Sequence, residues 1–165
     1  MESSARAQLL SSAQSFCNVF AENKDLDIIM SHFSTTHQVT AIEYGEQVLA
    51  PFLGREYVGI PAVRSYFEKI ASLLSYKDME FVEFVVDTES RRVACKGRAK
   101  FTWKSTEGSW DETFAYMLDF DDERKITDYQ VWADSGAAYL ARRGKLDEVR
   151  KEGEQADTKP SSGSG

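Results

Sequence analysis

Apolar residues fall on two rhythms along this chain, and the change of rhythm divides it. Between about residues 4 and 22, Leu9, Ala13, Phe16, Cys17 and Phe20 recur at three- and four-residue steps, which predicts an amphipathic helix. "NKDLDIIMSHF" predicts a short second helix capped by Asp25, with Leu26, Ile29 and Met30 on its buried side. "TTHQVTAIEYG" predicts a strand stopped by Gly45, and "EQVLAPFLGREYVG" a loop broken by Pro51, Gly54 and Gly59. "GIPAVRSYFEKIASLL" returns to the helical period. Pro61 suits a first helical turn, and Val63, Phe67, Ile70 and Leu74 line one face.

Beyond that helix the period drops to two. Strands are predicted at about 77–87, 91–104, 109–121 and 125–133, separated by the turn-forming stretches "DTESR", "KSTEGS" and "DDERK". A last short helix is expected at about 135–142. The chain past Gly144 is charged and ends in "KPSSGSG", so the reading is one domain over 1–144 and a disordered tail over 145–165. Helices gathered on one side of an antiparallel sheet make the fold class α+β.

Strand alternation sorts residues by face. Val93, Cys95, Gly97, Ala99, Phe101 and Trp103 share the apolar face, and Arg92, Lys96, Arg98, Lys100 and Lys104 the other. A hairpin through "KSTEGS" pairs Trp103 with Trp110, Ala99 with Phe114, Gly97 with Tyr116 and Cys95 with Leu118. Small then faces large, and Glu112 lies on the inner face opposite Phe101. The last strand has two phases. Hydrophobicity alone turns Thr127, Tyr129, Val131 and Ala133 inward. A regular hairpin through "DDERK" instead pairs Phe120 with Ile126, Phe114 with Trp132 and Glu112 with Asp134. It turns Ile126, Asp128, Gln130, Trp132 and Asp134 inward. The hairpin phase is the one taken here; a bulge would reverse it.

Charge narrows the partners. Lys and Arg total 20 against 27 Asp and Glu, a net charge of −7, which disfavours general binding to nucleic acid or an anionic membrane. Cys17 and Cys95 lie on apolar stripes without CxxC spacing, so no zinc site and no metal ligands are assigned, and reduced core cysteines fit an intracellular protein. No secretory signal and no membrane span is visible, and cytoplasmic location is the default. No Walker or Rossmann glycine loop is present, and no cofactor is expected.

Two stretches, "GREYVGIPAVRSYFEKI" and "KITDYQVWADSGAAYLARRG", together with the order of elements, resemble the SnoaL-like branch of the nuclear transport factor 2-like superfamily over about residues 5–144. The resemblance implies a cone-shaped α+β barrel. Its strongly curved antiparallel sheet packs on three N-terminal-half helices, with a short C-terminal helix. It also implies an internal pocket and a homodimer packed through the sheet. The family includes polyketide cyclases, ketosteroid isomerase and scytalone dehydratase, as well as non-enzymes. The inward strand histidines of scytalone dehydratase have no counterpart, since His32 and His37 precede the main sheet. The first-helix tyrosine of ketosteroid isomerase is replaced by Phe16 and Phe20. Asp134 is the nearest counterpart of the late-strand acid of SnoaL-type cyclases.

The candidate chemistry is therefore carboxylate acid/base catalysis, without a cofactor, on a small, mostly apolar ring compound. Glu112 and Asp134 are the candidate pair. Two acids in one low-dielectric site push one pKa upward, so that one serves as acid and the other as base. Tyr116 would donate to a developing oxyanion and Gln130 orient the substrate. Trp132, Trp103, Phe114, Tyr44 and His37 complete the candidate ligand contacts, and "IEYG" puts either Glu43 or Tyr44 at the mouth of the cone, depending on strand phase. Asp134 before Ser-Gly-Ala is equally an N-cap, and the two roles are compatible. The alternative to an enzyme is a non-catalytic ligand-binding or dimerisation module.

Overall fold

A computed structural model describes residues 4–158. The helical rhythm at the start becomes α1, Ala5–Ala21, whose Leu9, Ala13, Phe16, Cys17 and Phe20 are buried, and which Ser4 caps through the Ala7 amide. After α2, Leu26–Met30, capped by Asp25, come β1, Thr40–Tyr44, and the two-residue β2, Tyr57–Val58. The loop between them buries Ala50, Phe52 and Leu53. The helix α3, Ile60–Leu73, starts with Pro61 in its first turn and buries Val63, Tyr66 and Phe67. Four long strands follow: β3, Leu74–Asp87; β4, Arg92–Trp103; β5, Ser109–Phe120; and β6, Ile126–Trp132. The chain closes with α4, Ser135–Arg142, and α5, Leu146–Thr158. This last helix occupies part of the span where the sequence suggests a disordered tail. It is tied back by Leu146, which is buried, and by Arg150, which donates to the Ser109 carbonyl at 2.8 Å. The "KPSSGSG" end lies outside the described residues.

The strands form one sheet in the order β2-β1-β6-β5-β4-β3. The expected cone-shaped barrel is not formed: the sheet is open and not strongly curved. Its two edge strands, β2 and β3, do not pair. A two-residue β2 supplies too short an edge to close back on a fourteen-residue β3. The sheet is also not wholly antiparallel, since β1 runs parallel to β6, with Ala41 beside Tyr129 and Glu43 beside Val131. Among the described residues no helix is long and apolar enough to cross a membrane.

The β4–β5 hairpin keeps the expected face but slips by two residues. Phe101, not Trp103, lies opposite Trp110, and Gly97 faces Phe114. A slip of two preserves the pleat, so the inner residues stay inner. Gly97 has a packing reason: a Cβ there would lie 2.3 Å from the Phe114 ring.

The last strand departs more seriously. Phe120 pairs with Ile126 as expected, but the register shifts at the next step, and Asp119 then pairs with Asp128. Thr127 is the extra residue of a bulge, and it inverts every later side chain. Tyr129 and Val131 are buried, whereas Trp132 is 42% exposed. The inward phase taken from the regular hairpin is thus corrected to the other one from Tyr129 onward. Hydrophobic burial, not hairpin regularity, sets the phase.

Candidate active site

The inner sheet face and helices α1 to α3 enclose a cavity of about 420 Å³. Its wall is largely aromatic and aliphatic, including Phe20, Phe52, Phe67, Phe101 and Phe114. Two carboxyl groups enter this wall from different strands, Glu43 from β1 and Glu112 from β5. They are 9% and 8% exposed.

Glu43 owes its place to alternation in β1. Ala41 and Glu43 point in, while Thr40, Ile42 and Tyr44 point out. Its Oε1 accepts a hydrogen bond from the Tyr66 hydroxyl at 2.7 Å. Burial pushes this carboxyl from an ordinary value of 4.5 up to about 8. The Tyr66 bond opposes the rise and the charge of Glu112 adds to it. Glu112 accepts from Trp110 Nε1 at 3.1 Å and from the Asp134 amide at 3.1 Å. Burial raises it to about 7, against those two hydrogen bonds and with help from the Asp134 charge.

Three phenols extend from Glu43 across the cavity wall. Tyr66 and Tyr129 have ring centroids 5.9 Å apart, and Tyr129 and Tyr116 5.0 Å. Burial holds all three well above the usual phenol range. Each also responds to its neighbour, Tyr116 to Tyr129, Tyr129 to Tyr66 and Tyr66 to Glu43. This is a line of neutral O–H groups ending on a carboxyl, in a site where such groups polarise one another.

The residues singled out from the sequence divide cleanly. Glu112, Asp134, Tyr116 and Phe114 line the cavity. Asp134 is an N-cap: its Oδ1 accepts from the Ala137 amide at 3.0 Å, and its own amide holds Glu112. Trp103 is buried beside the cavity, stacked with Phe52 at 6.3 Å, and does not line it. Gln130 and Trp132 lie on the outer sheet face because the bulge turned them there, and Tyr44 lies there because alternation in β1 points it out. Trp132 stacks on Tyr44 at 4.8 Å, and the Tyr44 hydroxyl donates to Gln130 Oε1 at 2.7 Å. His37 is exposed, 3.7 Å from Asp121, and does not reach the cavity.

Tyr66 and Tyr129 were not foreseen. Tyr66 sits on the same helical stripe as Val63 and Ile70, a buried position that places a hydroxyl in an apolar wall. Tyr129 is inward in the phase that hydrophobicity alone prefers.

The sequence matches no protein-family model and no curated protein. Solved structures do share the fold. A nuclear transport factor 2-like (NTF2-like) protein from Burkholderia xenovorans LB400 is 19% identical, with a TM-score of 0.66 over 82% of this chain and 96% of its own. A putative isomerase from Bacillus subtilis is 12% identical, with a TM-score of 0.69 over 86% and 97%. The BvnE pinacolase from Penicillium brevicompactum is 15% identical, with a TM-score of 0.64 over 90% and 97%. At these identities the likeness establishes the NTF2-like fold. Chemistry has to come from the side chains.

Proposed function

We propose that this chain is an acid/base enzyme of the isomerase, cyclase or dehydratase type, acting on a small, mostly apolar ring compound held in the cavity. The observation that carries the reading is the pair of acids, Glu43 and Glu112, buried on one aromatic wall, where burial pushes them up to about 8 and about 7. Near neutral pH, Glu43 holds its proton and Glu112 is divided between its two forms, which suits an acid and a base respectively. Ionised Glu112 takes a proton from the carbon beside a ring carbonyl. Protonated Glu43, backed by Tyr66, Tyr129 and Tyr116, donates to the carbonyl oxygen as it gains charge, and an enol results. Return of the proton to another carbon isomerises the ring. Return of the enol O–H proton to Glu43 while a β-hydroxyl leaves as water with the proton held by Glu112 dehydrates it; attack by the enol on an internal carbonyl, with the same two proton transfers, closes a new ring.

In this reading Asp134 is a positioning residue, holding Glu112 through its amide and raising it through its charge. The relatives named as a putative isomerase and a pinacolase are compatible with it. The proposal extends to a cytoplasmic homodimer. The free, buried Cys17 and Cys95 fit a reducing compartment, and the exposed Tyr44–Trp132 stack offers a surface for a second copy.

The test uses β-tetralone, a fused-ring ketone, in deuterated buffer. The chain should catalyse exchange of the hydrogens beside the carbonyl, followed by proton NMR. Glu112→Gln should abolish the exchange and Glu43→Gln should slow it. Binding of the ketone without exchange at any pH from 6 to 9 would replace the enzyme by a ligand-binding module.

A further inference from the structure

Away from the cavity, three potential ligands converge where the segment after α2 meets the β5–β6 turn. A ring nitrogen of His37 and one carboxylate oxygen each of Asp121 and Asp122 lie within 4.8 Å of one another. Asp121 is the buried member, 4% exposed, while His37 and Asp122 are exposed. The two oxygens of Asp121 are used differently. Oδ1 accepts from the Glu123 and Lys125 amides, both at 2.9 Å, and so builds the turn. Oδ2 is buried and accepts no hydrogen bond among the described residues; it points toward His37, 3.7 Å away.

A buried carboxylate oxygen without a donor is costly, and the usual remedy is a lysine or arginine. Here the nearby cations are committed elsewhere. The Lys125 ammonium donates to the Ser31 carbonyl at 3.0 Å, and Arg124 donates to Gln8 at 3.2 Å. Among the described residues no Lys or Arg forms an ion pair with Asp121 or Asp122. The His37 imidazole approaches Oδ2 at 3.7 Å and the Ser34 hydroxyl faces the same carboxylate, so the nearest groups are an imidazole and a hydroxyl rather than a lysine or arginine.

We propose that His37, Asp121 and Asp122 form a binding site for one divalent transition-metal ion, of which Zn²⁺ is the best match. Two carboxylates supply the charge that balances the ion, and the imidazole selects a borderline metal over Ca²⁺ or Mg²⁺, which prefer oxygen alone. Ligand bonds of ~2.0–2.2 Å put tetrahedral neighbours about 3.4 Å apart. The side chains of His37 and Asp122 sit at the surface and can close that gap around Asp121, which the turn already fixes, once His37 Nδ1 gives up its 3.0 Å contact with the Thr36 hydroxyl. The bound ion would clip the segment before β1 to the β5–β6 turn, reinforcing the backbone bonds between Phe33, Ser34 and Ile126. This site is independent of the acid/base proposal, because none of its residues lines the cavity.

The experiment titrates the full chain, stripped with EDTA and dialysed, with ZnCl₂ by calorimetry. His37→Gln and Asp122→Asn serve as separate variants, since both change surface residues and leave the Asp121 turn bonds intact. The expected result is one ion per chain, a rise in melting temperature on adding Zn²⁺, and at least about tenfold weaker binding in each variant. Co²⁺ in place of Zn²⁺ should give visible absorption without a thiolate charge-transfer band. The proposal is overturned by no binding, by binding that both variants leave unchanged, or by a thiolate band that places the ion on Cys17 or Cys95.

Discussion

Replacing Glu43 with glutamine removes one titrating group and keeps the acceptor that Tyr66 uses. In the folded chain this carboxyl is raised from 4.5 to about 8. Between those two pH values the native state holds a proton that the unfolded chain has released. Stability contributed by the group is therefore full below about 4.5 and is lost as pH rises through about 8. At about 1.4 kcal/mol per pH unit, the full loss is on the order of 5 kcal/mol. Glu43→Gln should abolish that slope. Any packing mismatch of the amide shifts the whole curve by a constant and leaves the slope as the diagnostic. Urea denaturation of both chains at steps from pH 5 to 9 measures it. The stability difference should move in favour of the variant by several kcal/mol across the series. Parallel curves would refute the reasoning, because they would mean that Glu43 ionises as readily folded as unfolded.

Three further substitutions probe separate links. Tyr66→Phe deletes the hydroxyl that favours the ionised form, so Glu43 should titrate above its present value of about 8, as followed by carboxyl ¹³C NMR; a downward move would contradict the assignment. Gly97→Ala sets a Cβ against the Phe114 ring and should cost about 1–3 kcal/mol in urea denaturation, with unchanged stability as the contrary result. Asp134→Ala removes the cap of α4 and should cost about 1 kcal/mol, while lowering Glu112 from about 7 because a neighbouring negative charge is gone. An unaltered Glu112 titration would dissociate the two acids.

Much of the architecture was legible because burial enforces periodicity. The α1 stripe from Leu9 to Phe20, the Pro61 start of α3 and the alternation of β4 and β5 each reflect a face that must leave water. The two-residue slip between β4 and β5 did no harm, since it left Glu112 and Phe114 inward. The single extra residue at Thr127 did, sending Gln130 and Trp132 to the outer face and bringing Tyr129 in. A bulge has no strong signature in a sequence of mixed apolar residues, and here the better guide was the run Tyr129, Val131, Ala133. The partner of Glu112 was harder to see. Asp134 is its neighbour through the backbone, whereas Glu43 arrives from β1, whose parallel pairing with β6 joins segments more than eighty residues apart. The open sheet was not legible either, because it follows from the shortness of β2 inside a stretch that reads as loop.

The central claim is that Glu43 and Glu112 form an acid and a base around neutral pH. Selective ¹³C labelling of glutamate carboxyls, with Glu43→Gln and Glu112→Gln spectra to assign the two signals, measures this directly. The account predicts midpoints near 8 for Glu43 and near 7 for Glu112, with the Glu43 midpoint moving down when Glu112 is neutralised. Midpoints for both near the ordinary glutamate value of 4.5 would contradict it.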